Sequence, residues 1–134
     1  MASELKVDKF TGVTTAGSIS VTGEGNSTTT NLQQGLAKVW FQIIQDSTHS
    51  INDSFNVGSI TDAGAGETTV TFSNVMANDD WSGVLTAQNS NNRRAMSNAP
   101  STTRIKVEVY AVSANSTASD ATGGVSGTVH GDLA

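Results

Sequence analysis

Two acidic residues flank a pair of closely spaced glycines in Asp62-Ala63-Gly64-Ala65-Gly66-Glu67. Three roles suit such a pattern: a cation loop, a phosphate cradle or a turn. A phosphate loop ends in Gly-Lys-Ser/Thr ahead of a helix, and no lysine follows here. A calcium loop places acids or amides at alternate positions, and here those positions are alanine. Both flanks, SITD and ETTVTF, read as strands. The preferred reading is therefore a hairpin turn, with Gly64 and Gly66 taking positive φ and Asp62 capping through its side chain.

The other chemistry-bearing residues form no recognisable constellation. GEGNSTTTN at 23–31 also lacks the phosphate-loop lysine. His49 and His130 lie in polar surroundings without metal-ligand spacing, and His49 reads as a solvated loop residue. No GxSxG elbow accompanies the many serines. Asp79-Asp80 before Trp81 reads as a strand-opening turn, with calcium as the alternative. The remaining carboxylates stand singly. No catalytic, cofactor-binding or metal-binding residue is assigned, and an enzyme is not expected.

What, then, do the elements around these residues build? The chain has 134 residues, with 36% hydrophobic and 14% charged. Serine, threonine, asparagine and glycine fill the difference, a composition that suits short strands joined by many turns. A net charge of −5 argues against a nucleic-acid binder, which would need a basic stripe. There is no cysteine, so disulfides and thiolate metal sites are excluded. MASELKVDKF carries no apolar signal core, and no apolar run approaches the roughly 20 residues of a membrane span. Neither membrane nor nucleic acid is an expected partner.

Residues 1–35 read as an extended N-terminal arm, with short strand-like patches at LKVDKF and SISVT. Residues 36–134 read as the β domain. LAKVWFQII is compatible with helix, but its β-branched and aromatic content favours strand. SFNVGSIT puts Phe55 and Val57 on one face, ETTVTFS pairs Val70 with Phe72, and DWSGVLTA pairs Trp81 with Leu85. TTRIKVEVYAVSA is the clearest strand. It turns Ile105, Val107, Val109 and Ala111 one way, and Arg104, Lys106, Glu108 and Tyr110 the other. Pro100 ends the polar loop that holds Arg93-Arg94. GGVSGTVHGDLA supplies a weakly held edge strand.

The predicted fold is all-β: an antiparallel β-sandwich or jelly-roll-like domain preceded by the arm. Phe55, Val57, Val70, Phe72, Trp81, Ile105, Val107 and Val109 are its expected core, and Trp40 also reads as core. Seven aromatic residues make that core thin. With disulfides excluded, subunit contact is the expected supplement, so a homo-oligomer is predicted. Candidate partner contacts are Leu5 and Val7 on the arm, Arg93 and Arg94, and Tyr110 as the ring on a polar strand face.

Four segments carry a resemblance: Leu5–Asp8 (LKVD), Gly35–Trp40 (GLAKVW), Asp53–Gly66 (DSFNVGSITDAGAG) and Val70–Phe72 (VTF). Together they resemble small virion structural proteins of marine tailed bacteriophages. Those proteins follow an LKVD-type arm with a GLAKAW-type strand and a DSFNVxSITDxGxG hairpin. Val39 stands where alanine is common, and FQIIQDSTHS replaces a polar turn after the tryptophan. The likeness covers residues 1 to about 72. It implies a non-enzymatic virion protein made in the host bacterial cytoplasm and assembled as an oligomer, commonly a trimer. Capsid decoration or head fibre is the leading expectation, with the major capsid protein or other virion proteins as partners. The alternative is a tail-fibre or appendage module that recognises host surface glycans.

Overall fold

β-Branched and aromatic residues alternate with small polar ones through most of the chain. In the computed structural model this pattern gives an all-β protein. The structure describes residues 4–13, 19–23, 28–88, 93–112 and 117–134, without the Ala99 side chain. The chain divides into two compact units, Met1–Leu36 and Ala37–Ala134. Among the described residues no helix is long and apolar enough to cross a membrane.

In the first unit, strands β1 (Ser20–Thr22) and β2 (Thr29–Asn31) form an antiparallel pair. One helical turn, α1 (Leu32–Gly35), follows, and the Asn31 side chain caps it by accepting from Gln34 N at 3.1 Å. LKVDKF was expected as a strand-like patch and is not one. Leu5 and Phe10 are exposed there in irregular backbone. Among the described residues no strand pairs with the segment, so its alternation joins no ladder there.

The second unit is the β-sandwich. One sheet has the order β4-β3-β10-β7, with β3 at Val39–Ile44, β4 at Ser50–Phe55, β7 at Ser82–Ala87 and β10 at Val125–His130. The other has the order β5-β6-β9-β8, with β5 at Val57–Gly64, β6 at Glu67–Phe72, β8 at Arg93–Ser101 and β9 at Arg104–Ala111. All neighbouring strands in these sheets run antiparallel. Period-two alternation buries Val39, Phe41 and Ile43 of β3 against Ile105, Val107 and Val109 of β9 in one core. Val70 and Phe72 join them from β6, and Val125 and Val129 from β10. Trp81 is half-buried, edge-on to Phe72 at 6.2 Å, and donates its indole N–H to Ser101 O at 3.1 Å.

The four edges differ in regularity. The register of β4 skips Asn52, and that of β5 skips Gly58 and Ala63. Edge strand β8 contains Pro100 and shifts register between Asn98 and Ser101. Only β7 pairs residue for residue along its length.

Several expectations are corrected. Phe55 lies outside the core, 51% exposed. Asn56, at φ 59°, turns the chain from one sheet to the other between Phe55 and Val57, so the two never share a strand face. The Asn56 side chain holds this crossover by donating to Lys38 O and Asn74 O and accepting from Asn74 N at 2.7 Å. Arg93 to Pro100 are strand rather than loop, because an edge strand tolerates a proline that donates no hydrogen bond.

The C-terminal glycine-rich segment is a central strand, β10, lying between β3 and β7. Its Gly127 is required by close approach. A Cβ there would lie within 3 Å of both the Phe41 ring and the Leu85 side chain.

Candidate functional site

The Asp62–Glu67 stretch is the hairpin between β5 and β6. Asp62 Oδ1 accepts from Gly64 N at 2.9 Å, and Gly64 and Gly66 take positive φ. Gly66 is buried, and the rest of the domain grips its peptide. Its N–H donates to Asp120 Oδ1 at 2.5 Å, and its carbonyl accepts from Val109 N at 2.8 Å and Gln45 Nε2 at 3.2 Å.

Behind this turn lies a cluster that resembles a nucleophile relay. Thr68 Oγ1 is 2.9 Å from His49 Nδ1, and His49 Nε2 is 3.8 Å from both Asp62 Oδ1 and Asp120 Oδ1. His49 is thus not a solvated loop residue, since its side chain is only 3% exposed. Gln45 Nε2 also donates to Thr68 Oγ1, at 2.9 Å. Thr68 is fully buried, so no substrate reaches it. The relay braces the hairpin. Among the described residues, no group of three or more His, Cys, Asp or Glu is placed to hold a metal ion.

The outer face of the β5-β6-β9-β8 sheet carries a charged network. Glu108 accepts from Asn98 Nδ2 at 2.7 Å and Tyr110 Oη at 2.8 Å, and Lys106 Nζ lies 3.2 Å away. Burial pushes the Glu108 carboxyl up, but the donors from Asn98, Tyr110 and Lys106 outweigh it and hold it below the ordinary glutamate value. Lys106 is raised, chiefly by its hydrogen bonds to Glu67 and Glu108, and Tyr110 is raised by donating to Glu108.

The expected partner contacts separate here. Arg94 and Tyr110 are cross-strand partners, with the guanidinium 5.5 Å from the ring centroid. Arg93 points to the opposite side of β8 and donates to Ser119 Oγ at 2.9 Å. Leu5 and Val7 are exposed in the first unit.

A surface missed by the sequence reading lies on the outer face of the other sheet. Trp40, expected in the core, is 38% exposed there. It stands in a cross-strand row running Phe55, Trp40, Thr128, Val84. The next row runs Asp53, Gln42, Ser126, Thr86. The signal was in VWFQII: Trp40 is in phase with polar Gln42, whereas Val39, Phe41 and Ile43 form the inward set.

Between Trp40 and Gln42 on one side and Val84 and Thr86 on the other, an open groove of about 460 Å³ follows β10. Its floor carries the short side chains Ser126 and Thr128. Gln42 Nε2 donates to Gln88 Oε1 at 2.9 Å, and Gln88 Nε2 donates to Ser126 Oγ at 2.6 Å.

Comparison of this chain with protein-family models, with curated proteins and with solved structures gave no match.

Proposed function

We propose that this protein is a non-enzymatic structural component of a tailed-bacteriophage virion, an oligomer mounted on the capsid as a decoration or head-fibre protein. The resemblance at Leu5–Asp8, Gly35–Trp40, Asp53–Gly66 and Val70–Phe72 is the source of the virion assignment. The observation that supports the non-enzymatic part is the full burial of Thr68, the nucleophile type in the His49 cluster. Meanwhile large apolar side chains away from that groove, such as Val75, Met96 and Val112, face solvent, which supports a surface that makes contacts. A cysteine-free β-sandwich folds in a reducing host cytoplasm without needing later oxidation. Subunit contact then supplements a modest core, with a trimer as the preferred assembly and the major capsid protein as the lattice it joins. The first unit acts as the clamp, exposing Leu5 and Val7 for a neighbour.

Quantitative mass spectrometry of the purified virion tests this, using copy number relative to the major capsid protein. Hundreds of copies support decoration. A few copies to a few tens move the protein to a tail or vertex appendage, and absence from the particle overturns the virion reading.

One observation favours the alternative, an appendage module recognising host surface glycans. The exposed ring of Trp40 is the kind of platform that sugar recognition uses.

A further inference from the structure

The groove along β10 combines features that no assembly role requires. We infer that it is a binding site for a neutral saccharide, one sugar ring lying between Trp40 and Val84 over Ser126 and Thr128. This deepens the glycan reading above, and it fails separately from the choice between capsid and tail.

Three observations lead to this ligand class. The first is shape. The groove walls stand on strands two positions apart, about 10 Å, and the volume lies in the small-ligand range of roughly 300–1,000 Å³. Short hydroxyl side chains at the floor leave that space open.

The second is chemistry. A sugar ring presents an apolar C–H face and an edge of hydroxyls that both donate and accept. Trp40 supplies an aromatic wall for the face, and Phe55, its cross-strand partner, extends the platform. The edge meets a sequence of complementary groups. Gln42 uses its amide nitrogen toward Gln88, which turns its oxygen out as an acceptor. Ser126 accepts from Gln88 and keeps its own hydroxyl proton to donate. Thr128 adds a second hydroxyl.

The third is charge. The two outward rows contain Asp53 and no lysine or arginine. An anionic sugar would find no partner there, so the ligand is neutral.

Size argues against a second copy of the chain as the occupant. The apolar row is four strands long and one residue pair wide, about 19 by 7 Å, or on the order of 130 Å². A stable protein interface needs about 800 Å² on each partner.

The test is an NMR titration of the full chain with maltohexaose, mannohexaose and N-acetylchitohexaose, with sialyllactose as the anionic control. At least one neutral sugar should shift the Trp40 indole and the Gln42 and Gln88 side-chain amides saturably, leaving the Trp81 indole unmoved. Trp40→Thr and Thr128→Trp, the latter filling the groove, should each weaken binding by about 10-fold or more. Thr128 faces solvent, so the Thr128→Trp melt should match the parent protein and separate lost binding from lost folding.

The inference is overturned if none of the three sugars gives a saturable shift up to about 20 mM. It is equally overturned by shifts that map elsewhere or by sialyllactose binding as well as the neutral sugars. Concentration-dependent broadening of the same resonances without sugar would assign the groove to a second copy instead.

Discussion

Replacing Gly66 with alanine should destabilise the β-sandwich by about 2–5 kcal/mol. Two costs add. Gly66 sits at φ +71°, in the left-handed region, where an alanine costs about 1–2 kcal/mol. The added Cβ would also meet backbone on both sides. It would press on Val109 O and lie 2.6 Å from Ser119 N, the two atoms joined by the Ser119-to-Val109 hydrogen bond. Backbone cannot swing aside as a side-chain tip can, so an overpacking cost of about 1–3 kcal/mol applies. Native domains hold only about 5–15 kcal/mol in total. At about 4–8 °C per kcal/mol, the melting temperature should fall by roughly 8–40 °C. Thermal and urea melts followed by circular dichroism measure this. Gly66→Asn separates the two costs, because asparagine tolerates positive φ yet still carries a Cβ. If Gly66→Asn melts with the parent protein, the close contact is refuted. If Gly66→Ala does too, the whole argument is refuted.

Four further outcomes are expected. Val107→Asp should yield no folded protein, since Val107 is fully buried and has no partner for a charge; a soluble variant with a cooperative melt would overturn the β9 assignment. The depressed Glu108 carboxyl contributes stability that is present above the ordinary glutamate value and lost as pH falls through its lower folded value. Glu108→Gln should therefore flatten the urea midpoint between about pH 5 and 3, and an unchanged slope would count against the network. Raised Lys106 and Tyr110 stabilise below their ordinary values and lose that contribution as pH rises through their folded ones, so Lys106→Met should weaken the alkaline loss. Removing residues 1–36 should leave the sandwich melting as before, while light scattering shows a smaller assembly; an unaltered assembled mass would remove the clamp role.

The strands were legible where one pattern spanned one element. β9 alternates, and its apolar core residues Ile105, Val107 and Val109 are the ones expected, although Glu108 on the other face is buried too and Ala111 is only half-buried. The β5–β6 hairpin was equally readable, because Gly64, Gly66 and Asp62 have local reasons to turn. Reading failed where tertiary approach set the residue. Gly127 looks like looseness in a sequence, yet it is glycine because Phe41 and Leu85 close over it. Phe55 and Val57 appeared to share a face, because a single left-handed Asn56 leaves no mark in hydrophobic periodicity. The His49 cluster joins residues from 45 to 120, and its members are too far apart in the chain for spacing to link them. Trp40 was the avoidable miss, since the neighbouring Gln42 already marked its face as outward.

The irregular edges of the sandwich bear on misassembly. A sheet edge invites any free strand to add to it, and bulges or proline spoil the template. Bulged β4 and β5, and β8 with its proline, are protected in this way. The regular β7 carries neither device and has only the neighbouring β8 beside it. Many copies folding in one crowded cell would face their greatest risk of zipping together along Ser82–Ala87. Aggregation of partly folded chains should therefore begin at that edge, and a lysine placed there would act as a gatekeeper without touching the core.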